Sequence, residues 1–223
     1  MKVNEVFTSI QGEGPLAGVP MVFLRLGGCN LSCVYCDTRR TEQDFEEINI
    51  PSVRDIITNY SFNSGYKINW LCITGGEPLM QEKDLGILLL QLRDYKIDTI
   101  IETNGSIFPP DWRFASSWAI DVKCPSSGNK SDINILSRWL PLGPDDYFKF
   151  VVNDDTDIFF AEEIISKFDA YLNVPKSRIV LSPVFDGSDG NHLARDWALS
   201  VSNYCVCNNY RFSLQLHKII GCA

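Results

Sequence analysis

The chain has 223 residues, 45% hydrophobic and 22% charged. It is read as one large domain, 1–223, that buries roughly 70% of its unfolded surface without disulfide staples. A formal charge of -8 and a pI of 4.8 argue against nucleic-acid binding, because phosphate neutralisation needs clustered Lys and Arg. No apolar run approaches the ~18 residues of a membrane span, and no basic stretch precedes an apolar N-terminal run, so a soluble cytoplasmic protein is expected.

In chain order, residues 21–26 form an apolar run that predicts a buried strand ending at Gly27 and Gly28. The segment from Arg39 to Ile50 is polar and acidic and suits disorder. Val53, Ile56, Ile57 and Tyr60 recur at i, i+3, i+4 and i+7, which predicts an amphipathic helix with Ser52 as its N-cap. Residues 70–74 are the next strand, closed by Gly75-Gly76-Glu77-Pro78. Leu85, Leu88, Leu89 and Leu92 again follow helical spacing, and a strand over 99–102 ends at Asn104-Gly105.

Further strands are predicted at 118–122, 147–152, 178–181 and 211–216, with helices around 131–139, 157–169 and 190–202. Short apolar runs alternating with helices imply a parallel sheet covered by helices. About six such units are too few for a closed eightfold barrel. The predicted fold is α/β, a partial, open (β/α)6-type barrel. Its glycine-rich and polar motifs follow strands, at the edge where parallel α/β folds place ligands.

Eight cysteines in a cytoplasmic chain call for a metal reading before a disulfide one. Cys29, Cys33 and Cys36 form C-x3-C-x2-C on a loop leaving a strand. Three thiolates can each take one iron of a [4Fe–4S] cubane, leaving the fourth iron for a chelating ligand. A zinc knuckle or zinc-binding interaction module is the competing reading, but structural zinc wants four protein ligands and no further pair completes them. Cys205 and Cys207 make too few ligands for a second site; Cys72 and Cys124 read as packing and Cys222 as a tail thiol.

C-x3-C-x2-C with Tyr35 before its last cysteine resembles the signature of the radical S-adenosylmethionine (SAM) superfamily. Thr74-Gly75-Gly76-Glu77-Pro78 resembles that superfamily's glycine-rich segment, which binds the amino group of SAM. Five further stretches narrow the match: Ile10-Gln11-Gly12-Glu13-Gly14, the strand Arg25, Cys36-Asp37-Thr38, Glu102-Thr103-Asn104-Gly105, and Gln215-Leu216-His217-Lys218. Together they resemble the 7-carboxy-7-deazaguanine synthases (QueE family) of queuosine and archaeosine biosynthesis. A glycyl-radical-enzyme activase, acting on a polypeptide, needs neither the Gln-Gly-Glu-Gly turn nor Thr38.

The resemblance implies a lyase that converts 6-carboxy-5,6,7,8-tetrahydropterin to 7-carboxy-7-deazaguanine, releasing ammonia and regenerating SAM. It implies a [4Fe–4S] cluster on Cys29, Cys33 and Cys36, Mg2+ on Thr38, an electron donor of flavodoxin or ferredoxin type, and a homodimer. On the SAM side it implies Tyr35, Cys36, Asp37, Gly75, Gly76, Glu77, Asp121, Val122, Lys123 and Ser182. On the substrate side it implies the backbone of Ile10, Gln11 and Gly12, then Glu13, Arg25, Thr74, Glu102, His217 in a terminal strand, and the last residue, Ala223. From the residues alone, Arg25 inside an apolar strand needs either a ligand carboxylate or an internal acid, and Thr38 reads as a turn residue. Asp121-Val122-Lys123 stands where the family often has Ser-Pro-Lys, and Ser182-Pro183 where Gln-Pro is common.

Overall fold

The computed structural model describes residues 1–38, 44–62, 65, 67–108, 114–172, 174–185 and 195–222. Among them, one sheet has the strand order β3-β1-β2-β4-β5-β6-β7-β8-β9. The strands are β1 Lys2–Ile10, β2 Pro20–Leu26, β3 Glu46–Glu47, β4 Trp70–Gly75, β5 Asp98–Thr103, β6 Ser117–Val122, β7 Tyr147–Val152, β8 Ile179–Pro183 and β9 Arg211–Phe212. From β2 through β9 every neighbouring pair is parallel, while β1 and β3 add antiparallel edges. The sheet ends at β3 on one side and β9 on the other, so the barrel is open as expected.

Among the described residues six α-helices accompany the sheet: α1 Ile50–Phe62, α2 Glu82–Leu92, α3 Ile133–Ser137, α4 Asp155–Leu172, α5 Arg195–Asn208 and α6 Leu216–Ile220. The two-residue period of the strands sorts their side chains by face. Leu24, Ile73, Ile101, Ile120, Phe150 and Leu181 point outward into the core shared with the helices. Met21, Phe23, Cys72, Ile100, Ala119, Tyr147 and Val180 form a second buried cluster on the concave face. One step nearer the strands' C-terminal ends, that same face carries Arg25, Thr74, Glu102, Asp121 and Lys149. An apolar floor therefore underlies a polar rim.

Several sequence expectations require correction. The nine-residue β1 was missed because its polar residues Asn4, Glu5, Thr8 and Ser9 break up the apolar signal. Helix α1 starts before Ser52, whose N–H donates to Asn49 Oδ1 at 2.9 Å, so Asn49 supplies the cap. Glu46 and Glu47 pair with β1, so the 39–50 segment is partly structured; 39–43 lie outside the described residues. The expected strand over 211–216 stops at Phe212, and His217 lies in the first turn of α6. Helix α5 runs on to Asn208, past the predicted end at 202, while 190–194 lie outside the described residues.

Candidate active site

A cavity of about 400 Å³ opens at the C-terminal ends of the parallel strands. Its lining brings together Cys29, Cys33, Tyr35, Cys36, Asp37 and Thr38 with Gly75, Gly76, Asp121 and Lys123. On its other side stand Ile10, Gln11, Gly12, Glu13, Arg25, Thr74, Glu102 and His217. Residues from both halves of the chain, implied by separate motifs, thus share one space. Ala223 lies outside the described residues.

The cysteine loop is tied to the glycine turn through the backbone. Gly76 N–H donates to Leu26 O at 2.9 Å, and Glu77 N–H to Gly28 O at 2.8 Å. A Cβ on Gly76 would lie 1.8 Å from Gly28 O, so only glycine permits this approach. Glu77 does not line the cavity. It is fully buried, accepting from Leu79 N at 2.9 Å, Thr103 Oγ1 at 2.8 Å and Asn104 N at 2.7 Å. Burial pushes its carboxyl above the ordinary value despite these bonds. Glu77 is a bracket joining two loops.

Two other SAM-side residues stand apart from the cavity. Val122 is fully buried in the helix-facing core, opposite to Asp121 and Lys123, as a two-residue period requires. Ser182 is 1% exposed, and its Oγ has no partner. Asp121 Oδ1 is likewise unpartnered, while Oδ2 lies 3.0 Å from Lys123 Nζ and 3.3 Å from Lys149 Nζ. Burial opposes ionisation of Asp121, but the two ammonium groups hold its carboxyl below the usual range.

On the substrate side, Glu102 accepts from Gln11 Nε2 at 3.0 Å and Thr74 Oγ1 at 2.8 Å. The backbone of the 10–12 turn is less open than expected. Gln11 N–H and C=O are both bonded to the 18–19 segment, and Gly12 O accepts from Leu216 N at 2.9 Å. Arg25 Nε donates to Glu5 Oε1 at 2.7 Å, so it has an internal acid while still edging the cavity. Phe7 and Phe23 stack with centroids 5.1 Å apart, and the Arg25 guanidinium lies over Phe7. Gly12 is packed so closely by His217 that a Cβ would lie 2.0 Å from Nδ1. Burial holds His217 below the ordinary histidine value, against the opposing pull of Glu13 and Asp37.

Lys149 was missed, although a lone lysine in the apolar strand 147–152 was its signal. Its Nζ lies 2.7 Å from Glu13 Oε2, and Glu13 Oε1 accepts from Gln215 Nε2 at 2.8 Å. Lys218 continues the chain of contacts, 2.9 Å from Gln215 Oε1 and 2.9 Å from Asp37 Oδ2. Burial disfavours both charges, yet Glu13 is held below and Lys149 well above their ordinary values, each by its counter-charges. Asn104, Phe185, Gln215, Lys218 and Cys222 also line the cavity, so Cys222 is more than a tail thiol.

The donor chemistry fits a polynuclear cluster better than one zinc ion. None of the eight cysteines forms a disulfide, and burial pushes Cys29 and Cys33 above the ordinary thiol value. Three of them edge one cavity, yet among the described residues no three His, Cys, Asp or Glu side chains converge on a single-ion site. The glycine turn and the orphaned Asp121 Oδ1 beside them suit an amino- and hydroxyl-bearing ligand such as SAM. For Mg2+, which prefers hard oxygen ligands, Thr38 offers a hydroxyl, 3.5 Å from Cys36 Sγ. No described helix is long and apolar enough to cross a membrane.

The family model "Radical SAM superfamily" matches residues 24–114. A 7-carboxy-7-deazaguanine synthase of Methanospirillum hungatei is 40% identical over 223 residues, covering 99% of this chain and 86% of the relative. One of Thermoplasma acidophilum is 34% identical over 221 residues, covering 99% and 97%. The crystal structure of QueE from Escherichia coli superposes with a TM-score of 0.70 at 26% identity, covering 97% of this chain and 94% of that one.

Proposed function

Because the chain belongs to the 7-carboxy-7-deazaguanine synthases of the radical SAM superfamily, we propose that its cavity takes 6-carboxy-5,6,7,8-tetrahydropterin and yields 7-carboxy-7-deazaguanine and ammonia. One observation carries this reading. A single cavity is edged at once by three thiols, a glycine turn and a rim of carboxylates, amides and cations.

Cys29, Cys33 and Cys36 would hold the [4Fe–4S] cluster, and Tyr35, Asp37, Gly75, Gly76, Asp121 and Lys123, which line the same cavity, would take SAM. When bound and reduced, the cluster supplies the electron that breaks a carbon–sulfur bond of SAM. The protein's own work is orientation and exclusion of water. Glu102, already ordered by Gln11 and Thr74, presents two acceptor oxygens to the amino and amide edge of a pterin. Arg25 turns its remaining guanidinium N–H groups to the substrate carboxylate while Glu5 fixes the side chain. Phe7 and Phe23 give the flat ring an apolar wall. Burial lowers the His217 pKa and so favours the neutral imidazole, able to donate from one nitrogen and accept at the other. Thr38 would hold Mg2+ through its hydroxyl, and the ion would neutralise charge on the substrate carboxylate.

The same reading includes a small-molecule substrate, a flavodoxin- or ferredoxin-type electron donor, a homodimer and a cytoplasmic location that keeps the thiols reduced. A single domain over residues 1–223 suits a sheet whose strands run from Lys2 to Phe212. An activase for a polypeptide has no use for a carboxylate rim set above an apolar floor.

Binding selectivity tests the substrate class. Cluster- and SAM-loaded protein should bind the carboxypterin and discriminate against a tetrahydropterin lacking the 6-carboxylate. Equal affinity for the two, or none for the carboxypterin, contradicts the assignment.

A further inference from the structure

Each cysteine of the triad has a hydrogen-bonding neighbour, and the shortest contact from a distant loop is to Cys33. Asn129 Nδ2 donates to Cys33 Sγ at 3.3 Å across 96 residues of sequence. Asn129 lies between β6 and α3, outside the motifs read from the sequence. Its side chain is held firmly: the same Nδ2 donates to Ser127 O at 3.2 Å, and its backbone N–H to Ser127 Oγ at 3.1 Å. Ser127 O also accepts Val34 N–H at 2.9 Å, within the cysteine loop itself. The loop is anchored below by fully buried Asp157, which accepts from Ser126 N at 3.0 Å and from Ser126 Oγ. An amide donor is therefore fixed toward a cluster sulfur by contacts independent of that sulfur.

We propose that Asn129 sets the reduction potential of the cluster held by Cys29, Cys33 and Cys36, and this rests on the cluster reading above. Reduction adds one electron from an external low-potential donor to [4Fe–4S]2+, giving [4Fe–4S]1+, with no bond formed or broken. The added negative charge is shared by the cysteine sulfurs. An N–H pointed at Cys33 Sγ stabilises the reduced form more than the oxidised one, and hydrogen bonds to sulfur are a recognised determinant of cluster potential. Asn129 is thus a positioning residue for electron entry. Asn104 Nδ2, at 3.9 Å from Cys29 Sγ and engaged at 2.9 Å with Asn30 Oδ1, acts more weakly.

The experiment is a redox titration of anaerobically reconstituted protein, with dithionite as reductant, followed by electron paramagnetic resonance without SAM or pterin. Iron and sulfide are counted in every sample. Asn129→Leu should hold a full cluster and lower the midpoint by about tenfold in the one-electron equilibrium, about 59 mV. Asn129→Gln, which keeps the donor, should recover part of that shift. An unchanged midpoint in fully loaded Asn129→Leu overturns the proposal. Loss of iron from both Asn129→Leu and Asn129→Asp, with Asn129→Gln loading fully, also overturns it, because Asn129 would then only hold the loop. A wild-type protein that loads no cluster instead contradicts the underlying reading, which separates the two failures.

Discussion

Lys149 on β7 reaches across 136 residues of sequence to Glu13, with Nζ 2.7 Å from Oε2. This pair joins the Gln-Gly-Glu-Gly turn to the strand beside Asp121. It links the two sides of the cavity.

Removing one partner of a buried pair leaves the other charge uncompensated, at a cost of about 3–5 kcal/mol. Lys149→Met should therefore lower unfolding stability by about that amount in denaturant titrations near pH 7, and Lys149→Met with Glu13→Gln should cost less than the sum of the singles. The pH dependence has two edges. Glu13 is held below its ordinary value, so its contribution is full above the unfolded value of 4.5 and is lost as pH falls through the folded one. Lys149 is raised, so its contribution is full below 10.5 and is lost as pH rises through its folded value. In Lys149→Met the acid edge assigned to Glu13 should shrink or reverse, because burial then acts on its carboxyl without the ammonium. An unaltered acid edge would show that the pair is not what stabilises the carboxylate.

Gly76→Ala drives a Cβ into the backbone at Gly28, next to Cys29. We expect a loss of about 3 kcal/mol, the upper end for overpacking, together with reduced iron loading. Cys29→Ala, Cys33→Ala and Cys36→Ala should abolish reductive SAM cleavage, whereas Cys207→Ala, at an exposed site, should load iron normally. Iron counting and thermal unfolding read both sets. Normal loading and stability in Gly76→Ala would contradict the close approach.

Arg25→Ala should weaken carboxypterin binding by about 1.5–3 kcal/mol, the range for a hydrogen bond to a charged group, with SAM affinity little changed. Glu5→Gln should give a smaller effect in the same direction, because Glu5 orients Arg25 through Nε. Calorimetric titration with each ligand checks this. A selective loss of SAM affinity would place Arg25 on the wrong side of the cavity.

Thr38→Val keeps the volume and removes the oxygen. Cluster content and SAM binding should survive, while substrate affinity and the response of turnover to Mg2+ fall; Thr38→Ser should keep much of that response. Wild-type magnesium dependence in Thr38→Val would leave Thr38 as a turn residue.

The motifs around Cys29 and Gly75 were legible because such chemistry demands particular residues at close spacing. The parallel strands were legible because both their faces are buried and read as apolar runs. Lys149 was not, since its role depends on Glu13 and Asp121, which only the sheet brings near. Glu77 and Val122 fall outside the cavity lining for a related reason: a motif gives the neighbourhood but not the direction of the side chain. Glu77 turns inward to Thr103 and Asn104, and Val122 faces the helices. His217 was expected in a strand because Leu214 and Leu216 alternate with Ser213 and Gln215 past Phe212, yet that segment turns into α6 and packs against Gly12.

The most direct test is a product assay on anaerobically reconstituted protein supplied with SAM, Mg2+, a low-potential reductant and 6-carboxy-5,6,7,8-tetrahydropterin. Mass spectrometry should find 7-carboxy-7-deazaguanine formed with an equal amount of ammonia, and SAM not consumed in proportion to product. A fully loaded protein that cleaves SAM but forms no deazapurine would contradict the account.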